Sequence, residues 1–368
     1  MRPEIFTFDP TVYVFDRDYH IMIPMEAPAL VWVQVGDRKF YDHFAGILRS
    51  DTKVHRVIVP QALLDEHKEY TVCWRKIIDR TPYFPQSEEP REYTVRFRPI
   101  EGVNANFYHV SDVHDDIDYA IKTAPFMERI DGLILNGDVP NSCAVEKGGT
   151  DILELTGTVG KGEIPVIFAR GNHDTRGAFA EHFGDYTPHR EGRTYFTFRL
   201  GNIWGLVLDC GEDKPDTNDE YFGTICFHEF RLAEDAFVQD VVARAKEEYL
   251  AEGIEYRVVV CHHPISLVSR PPFDIEQELY SSWCRILREE IKPDLMISGH
   301  THKPGLYLPG GILDQLGQTW PIGIGGRPAR KRSEGFIAAG YEFSEEGVRF
   351  TLADESCQVI EEHQIENH

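Results

Sequence analysis

Residues 166–174 read VIFARGNHD, a short apolar run that ends abruptly in polar and turn-forming residues. The same change occurs at four other places in the chain. They are Asp112-Val113-His114 after FYHVS, Gly137-Asp138 after GLILN, His262-His263-Pro264 after RVVVC and Gly299-His300-Thr301-His302 after LMIS. Open α/β sheets place ligands beyond the carboxyl ends of their strands. Five strands that deliver carboxylate, amide and imidazole groups to one rim would therefore build a metal site.

The part of the chain around these motifs alternates strands with helices. Helices are predicted in the segment DYAIKTAPFMERI, over 229–250 and over 275–291, and Gly201-Asn202 is predicted to turn a hairpin. Strand patterns return after residue 319 and are predicted to close the edge of the sheet. Such alternation, which begins at residue 106, is typical of an α/β domain with largely parallel strands.

Residues 1–98 have a different pattern, with short strands separated by Gly, Pro and Asp. The strands read TVYVF, LVWVQVG, VHRVIVP, YTVCWRKI and YTVRFRP. This pattern is typical of a small β-sandwich. Leu64 followed by Tyr70 resembles the tyrosine corner of fibronectin type III and immunoglobulin-like domains, in which the Tyr hydroxyl ties a strand end back to the backbone. The predicted domains are residues 1–100 and 103–368.

Composition and charge limit the function. Of the 368 residues, 42% are hydrophobic and 27% are charged, and no apolar run approaches the roughly 20 residues that a membrane span needs. The start of the chain lacks the features of a signal peptide. Seven widely spread cysteines without a CxxC pair indicate a reducing cytoplasm. The formal charge of −23 repels polyanions, so we expect neither nucleic acid nor a membrane as a partner, whereas a small anion can bind at a metal.

Seven side chains of these motifs are candidate metal ligands: Asp112, His114, Asp138, Asn172, His262, His300 and His302. Residues i and i+2 of an extended segment point the same way, so both ligands of the first motif would face one ion, as would both histidines of the last. The glycines before Asp138, Asn172 and His300 let the backbone turn sharply. Asp, Asn and His ligands without Cys suit Mn, Fe, Zn or Co. Seven ligands are too many for one catalytic ion, but two ions bridged by Asp138 leave room for water.

The charge of such a centre indicates its substrate. Two divalent ions carry +4 and two aspartates return −2, so the site is at about +2 and attracts a phosphate. Two ions about 3.5–4 Å apart also generate hydroxide at neutral pH and hold the entering and leaving oxygens. His173 can then donate a hydrogen bond to the phosphate or protonate the leaving group as a general acid.

Together these residues form the ordered pattern DxH…GD…GNHD…HxP…GHTH, which resembles the calcineurin-like metallophosphoesterase family over about residues 103–368. The resemblance implies an α/β fold, a four-layer αββα sandwich preceded by the small all-β sandwich domain. It implies that one metal is held by Asp112, His114, Asp138 and His302. The other would be held by Asp138, Asn172, His262 and His300, with Asp138 shared. The resemblance further implies that His173 and Asp138 are catalytic, and that the substrate contacts Asn172, His173 and His300.

The N-terminal β domain resembles the layout of purple acid phosphatases, with one departure. Those enzymes carry a metal-bound Tyr three residues after the GD aspartate, where this chain has Asn141. An iron–tyrosinate centre is therefore not expected. The arrangement is similar instead to bacterial phosphoesterases with a fibronectin-like N-terminal domain.

The predicted function is hydrolysis of small-molecule phosphodiesters or phosphomonoesters, by in-line attack of a hydroxide bound to two divalent metal ions (Mn, Fe or Zn). The sequence does not decide between the two ester types, and homo-oligomer formation stays open. One alternative is a nucleotide or pyrophosphate-linked substrate whose second phosphate is held by a basic cluster, consisting of Arg327, Arg330, Lys331 and Arg332. Another is a non-catalytic module that keeps the metals and docks a partner through the β domain.

Other residues near the motifs have two interpretations each. Asp174 is expected to cap a helix or to support a ligand. Arg170 is expected to form a surface ion pair or to touch the substrate. The loop after Asp209 is long, and long loops in compact domains are often lids. Tyr221 or Phe222 of this loop would then line a leaving-group pocket.

Overall fold

A computed structural model describes residues 2–328 and 335–366. The strands in this part of the chain are β1 (Thr11–Phe15), β2 (Asp18–Pro24), β3 (Ala29–Val35), β4 (Arg38–Tyr41), β5 (His43–Phe44), β6 (Ile47–Leu48), β7 (Val54–Pro60), β8 (Glu69–Asp79), β9 (Gln86–Ser87), β10 (Arg91–Arg96), β11 (Ala105–Val110), β12 (Gly132–Asn136), β13 (Pro165–Ala169), β14 (Phe196–Leu200), β15 (Ile203–Leu208), β16 (Tyr256–Cys261), β17 (Leu295–Ser298), β18 (Gly305–Tyr307), β19 (Ile322–Ile324), β20 (Ile337–Ser344), β21 (Gly347–Asp354) and β22 (Val359–Glu366). The α-helices are α1 (Gln61–His67), α2 (Ile117–Thr123), α3 (Lys147–Gly160), α4 (Phe227–Ala243) and α5 (Gln277–Ile286). Short 3₁₀ segments cover Ala124–Phe126, His173–Thr175 and Ala178–Asp185, and a π-helical turn covers Leu287–Ile291.

Two large sheets within the described residues form the centre of the molecule. The first has nine strands in the order β22-β21-β20-β11-β12-β13-β1-β2-β7, and the second has six in the order β14-β15-β16-β17-β19-β18. Strands β11, β12, β13 and β1 are parallel neighbours, as are β15, β16, β17 and β19. The antiparallel strands β20 to β22 close one edge of the larger sheet, as predicted.

Three hydrophobic clusters define four layers. Strand β13 illustrates this, because Ile167 and Ala169 belong to the cluster between the sheets, whereas Val166 and Phe168 belong to the cluster beneath α2 and α3. A third cluster packs the outer face of the six-stranded sheet against α4 and α5. Strands covered on both faces are apolar throughout rather than alternating. The predicted four-layer αββα sandwich is thus confirmed.

The N-terminal region is all-β apart from α1, and three of its strands join the larger sheet. Strand β1 pairs in parallel with β13, and β2 and β7 extend the same sheet. Strands β3, β4, β8 and β10 form a second layer, whose Val33 and Val72 share the central cluster with Val12. The domain boundary at residue 100 stays a prediction. Strands from both sides of that boundary contribute to one sheet and to one hydrophobic core. Strand β1 is buried on both faces whereas burial alternates along β3, although both sequences are largely apolar.

The tyrosine-corner prediction is wrong about the hydrogen-bond partner of the Tyr70 hydroxyl. The Tyr70 hydroxyl donates to the carbonyl of Gly162, at 3.0 Å, and not to the backbone near its own strand. Gly162 lies in the turn between α3 and β13, with φ at +72°. Tyr70 therefore ties the N-terminal strands to the turn that precedes the GNHD strand.

The helix and hairpin predictions hold with shifted ends. Helix α4 ends at Ala243 rather than near residue 250, and α5 continues into the π-helical turn up to Ile291. The first predicted helix breaks at Thr123, where the 3₁₀ turn containing Pro125 begins. The hairpin at Gly201-Asn202 joins β14 and β15 as predicted. None of the helices in the described residues is long and apolar enough to cross a membrane.

Candidate metal centre

The five motifs lie at the carboxyl ends of five parallel strands, as predicted. Strands β11, β12 and β13 of the larger sheet are followed by Asp112, Asp138 and Asn172. Strands β16 and β17 of the facing sheet are followed by His262 and His300. The centre therefore lies between the ends of two facing sheets. Each sheet supplies part of the ligand set.

The backbone at the candidate ligands is turned, not extended. The φ angles are +51° at Asp112, +50° at His114, +55° at Asp138, +64° at His300 and +53° at His302. Non-glycine residues adopt this left-handed conformation at a cost, and such residues cluster at functional sites. The side-chain alternation of an extended segment was thus the wrong reason for pairing these residues. They converge because each loop turns sharply after its strand.

One group of side chains brings together Asp112, His114 and His302. The Nε2 atoms of the two histidines are 3.2 Å apart, and His302 Nε2 is 3.3 Å from Asp112 Oδ1. One ligand atom from each of the three residues lies within 4.8 Å of the others. Two imidazole nitrogens on a tetrahedral ion, at about 2.0–2.1 Å from it, would be about 3.3–3.4 Å apart. The observed spacing fits a shared metal ion.

A second group surrounds Asp138. Its Oδ2 atom is 3.2 Å from Nε2 of His262, which is also 3.9 Å from Asp112 Oδ1. His262 Nδ1 lies 2.7 Å from the carbonyl of Asn136, so Nδ1–H donates there and Nε2 faces the carboxylates. A backbone carbonyl commonly fixes a metal-binding histidine in this way. Asn172 Oδ1 lies 3.1 Å from His300 Nδ1.

The buried carboxylates of this group favour a positive charge beside them. Asp112 and Asp138 are almost completely buried. Burial opposes ionisation of Asp138, but His262, His173 and His114 outweigh it and hold the pKa of Asp138 well below its usual range. Burial likewise opposes a charge on His262, yet Asp138 and Asp112 raise the pKa of His262 to about 10. Divalent cations would be stabilised by the same negative carboxylates.

The glycines of the motifs matter mainly for the space they leave. A Cβ on Gly171 would lie 2.3 Å from Asp138 Oδ1, and one on Gly299 would lie 2.6 Å from Asp112 Oδ2. A sharp turn was expected at Gly137, Gly171 and Gly299. Of these, only Gly137 has a left-handed backbone, with φ at +74°. The other two glycines allow a neighbouring carboxylate to approach the backbone.

His173 is held against the centre by three contacts. Its backbone N–H donates to Asp138 Oδ1 at 2.8 Å, and its Nδ1 lies 2.7 Å from the carbonyl of Asn141. Its Nε2 is 3.3 Å from Arg176 Nη1 and 3.9 Å from Asp138 Oδ2. Asn141 stands where the sequence comparison with purple acid phosphatases expects a metal-bound Tyr. Its backbone carbonyl orients the His173 ring. Nδ1–H donates to that carbonyl, which leaves Nε2 facing the site.

Asp174 supports the loops and is not among the grouped ligands. Its Oδ2 accepts hydrogen bonds from the backbone N–H groups of Gly171, at 2.7 Å, and Asp138, at 3.2 Å. No side-chain cap is found at the start of the 3₁₀ turn His173–Thr175. Of the two predicted roles, the geometry favours support of a ligand.

An ion-pair network that sequence reasoning missed joins the GNHD loop to the loop after β15. Arg176 donates from Nε and Nη2 to the two carboxylate oxygens of Glu212, each at 2.8 Å. The Tyr221 hydroxyl donates to the same carboxylate at 2.8 Å, and Arg176 Nη2 is 3.4 Å from Asp213 Oδ1. Arg176 and Glu212 are 36 residues apart in the sequence, so no local sequence pattern predicts their pairing.

Arg176→Ala is expected to lower the free energy of unfolding by about 3 kcal/mol, because it leaves the buried Glu212 carboxylate without its cationic partner. Urea denaturation measures the effect. The double substitution Arg176→Ala with Glu212→Gln should recover most of it. Arg91→Ala, which removes the exposed ion pair with Glu88, is the matched control and should cost at most about 1 kcal/mol. Equal losses in the two single variants would contradict a structural role of the network.

The remaining predicted residues lie away from the grouped ligands. Tyr221 is buried on Glu212, and Phe222 is 91% exposed. Arg170 pairs with Asp209 at 2.8 Å and stacks over the rings of Phe227 and Phe230, so its contacts are structural. Of the basic cluster, Arg327 pairs with Asp116. Arg330, Lys331 and Arg332 lie outside the described residues.

Comparison with known proteins identifies the same motifs. A profile of the calcineurin-like phosphoesterase family matches residues 105–304, which is 200 of the 368 residues. Among solved structures, purple acid phosphatase PPD1 from yellow lupin (Lupinus luteus) seeds is similar over 97% of this chain and 74% of that chain, with a TM-score of 0.62 at 12% identity. A dimetal phosphatase from Danio rerio matches over 73% of this chain and 100% of that chain, with a TM-score of 0.49 at 12% identity. The comparison with curated proteins finds no match.

Proposed function

The chain belongs to the calcineurin-like phosphoesterase family and is a metal-dependent hydrolase of phosphoric esters, and we propose that its substrates are small-molecule phosphodiesters or phosphomonoesters. The observation that carries the proposal is the convergence of seven predicted ligands around Asp138 and Asp112. Each of these two aspartates belongs to two of the candidate metal-binding groups. This sharing is what a centre of two ions requires.

The ligand sets follow the two groups of side chains. The proposed first ion is held by Asp112, His114, Asp138 and His302. The proposed second ion is held by Asp138, Asn172, His262 and His300. The spacing of the described ligand atoms supports this division, and the oxygen and imidazole donors suit Mn, Fe, Zn or Co.

The chemistry divides between the metals and the protein. Two divalent ions activate water at neutral pH and offset the charge of the phosphate. His173 is the proposed general acid, because Asn141 holds Nδ1 while Nε2 faces the site, 3.3 Å from Arg176 Nη1. Asp138 Oδ2 lies 3.9 Å from that nitrogen. Asn172 and His300 are the further proposed substrate contacts.

Hydrolysis of bis-p-nitrophenyl phosphate and p-nitrophenyl phosphate tests this proposal. The protein loaded with Mn²⁺ is expected to release nitrophenol from at least one of them. Chelation should reduce the rate to background, because the carboxylates and imidazoles alone cannot activate water sufficiently. Restored Mn²⁺ should restore the rate. A fully metallated protein that is inert toward every phosphorus ester tested would refute the proposed function.

The nucleotide alternative stays open. It requires basic side chains to hold a second phosphate. Arg327 pairs with Asp116 through Nη2, but its Nε and Nη1 are buried without a hydrogen-bond partner in the described part of the chain. A cytoplasmic location stays part of the proposal. All seven cysteines are free thiols, which suits a reducing compartment.

A further inference from the structure

A small pocket lies directly beside His300, on the side of the six-stranded sheet. Its apolar wall is formed by Leu267, Phe273 and Ile275, and its polar wall includes Asp213 and His263. His300 lines the pocket and also lies 3.1 Å from Asn172 of the proposed centre, so the two spaces adjoin. A group bound here would be next to a phosphate held at the metals. Apolar pockets with a few convergent polar groups are typical ligand sites.

His263 is the unusual member of this pocket. Both of its ring nitrogens are buried without a hydrogen-bond partner. The ring packs against that of His300, with centroids 4.0 Å apart. Each unpaired buried polar group costs about 1–3 kcal/mol, and in native proteins such a group calls for an explanation. A ligand that hydrogen-bonds to this ring would supply the missing partner.

Asp213 determines which charge the pocket tolerates. Its Oδ1 atom lies 3.0 Å from Lys214 Nζ, 3.3 Å from the Tyr221 hydroxyl and 3.4 Å from Arg176 Nη2. The surrounding network contains three acids (Glu212, Asp213 and Glu220) and two bases (Arg176 and Lys214), so its formal charge is −1. This charge offers no attraction for a second phosphate. It is compatible with an uncharged organic group.

Phe273 provides the main exposed apolar surface of the pocket. The ring is covered on one side by Lys214, whose Nζ lies 5.1 Å from the ring centroid. Phe273 remains 43% exposed, so a group bound in the pocket would cover more of its ring. Burial of aromatic surface is a strong source of affinity for an apolar ligand.

We propose that this pocket, whose volume is about 40 Å³, binds the organic leaving group of the ester when that group is a short, uncharged aliphatic alcohol with a hydrogen-bonding atom for His263. The proposal rests on the proposed function and specifies its substrate class. In the reaction, the ester P–O bond breaks and a P–O bond to the oxygen of water forms. The alcohol leaves with a proton from His173. A substrate whose leaving group is itself a phosphate is excluded from this class.

Binding of propylphosphonate and methylphosphonate to the Mn²⁺-loaded protein tests the pocket. Both carry the phosphoryl group, but only the first has a chain long enough to enter the pocket. Isothermal titration calorimetry should give a lower Kd for propylphosphonate. Phe273→Ala should raise that Kd about tenfold and leave the Kd of methylphosphonate within about twofold. His263→Ala, with metal content verified, should have the same selective effect.

Phe222→Ala is the matched control, because this ring is 91% exposed and outside the pocket. It should leave both dissociation constants unchanged. If neither Phe273→Ala nor His263→Ala separates the two phosphonates while ester hydrolysis persists, the pocket proposal is overturned and the proposed function stands. If neither phosphonate binds and no ester is hydrolysed, both are overturned. Melting curves exclude misfolding, and Phe273 is exposed enough for its substitution to leave the core intact.

Discussion

Replacement of Asp138 by Asn is expected to lower kcat for phosphate esters by about 10³-fold or more. The substitution keeps the shape of the side chain but removes the charge that lies between the two groups of ligands. Loss of a bridging carboxylate weakens both ions at once, and the stabilisation supplied by such ions amounts to several kcal/mol, where each 1.4 kcal/mol is a factor of ten in rate. The Asn side chain can also turn its amide toward His262 Nε2, 3.2 Å away.

Steady-state kinetics with bis-p-nitrophenyl phosphate and p-nitrophenyl phosphate, together with metal analysis by mass spectrometry, measure this effect. The control is Asp240→Asn on α4, where the side chain is 58% exposed and pairs with Arg244. That variant should keep full activity and full metal content. Unchanged kcat in Asp138→Asn would rule out the bridging role.

His262→Ala is the second substitution with a large expected effect. Metal content should fall from two equivalents to about one, and kcat by about 10³-fold, because a two-ion mechanism fails when either ion is lost. The ring is buried, its Nδ1 is fixed by Asn136, and its Nε2 lies between Asp138 and Asp112. Mass spectrometry of the purified variant and its activity in saturating Mn²⁺ give the two readings.

The neighbouring histidine provides an internal control for the metal. His263→Ala removes an equally large ring one residue away. This variant should keep two equivalents, because His263 belongs to none of the candidate metal-binding groups in the described residues and only packs its ring against His300. The opposite result, with metal lost from His263→Ala and kept in His262→Ala, would show that the HxP pattern was assigned to the wrong histidine.

The position of the centre could be predicted because it depends on a general property of parallel sheets. Strands that run in one direction end at one edge, so polar residues after Val110, Asn136 and Ala169 must meet there. The type of residue then indicates the chemistry. The family resemblance added the layer order. The distances and the backbone turns at Asp112 and His300 depend on packing between sheets, which short-range patterns do not encode.

Other features depend on contacts between distant segments. Arg176 and Glu212 pair across two loops, and the Asn141 carbonyl orients His173 only because the loops are folded against each other. The membership of β1 in the larger sheet was missed because its five residues were grouped with other short strands nearby. The sequences TVYVF of β1 and ALVWVQV of β3 are both largely apolar, so they did not reveal that only β1 is buried on both faces.

The pairing of β1 with β13 also governs how the chain is made. Val12 lies beside Pro165, so the first strand has no parallel neighbour until about 150 more residues have left the ribosome. Contacts between segments so far apart in sequence slow folding. Meanwhile β1 and β2 can form only their local hairpin. Assembly of the catalytic rim therefore waits for an early segment to be captured by a late one.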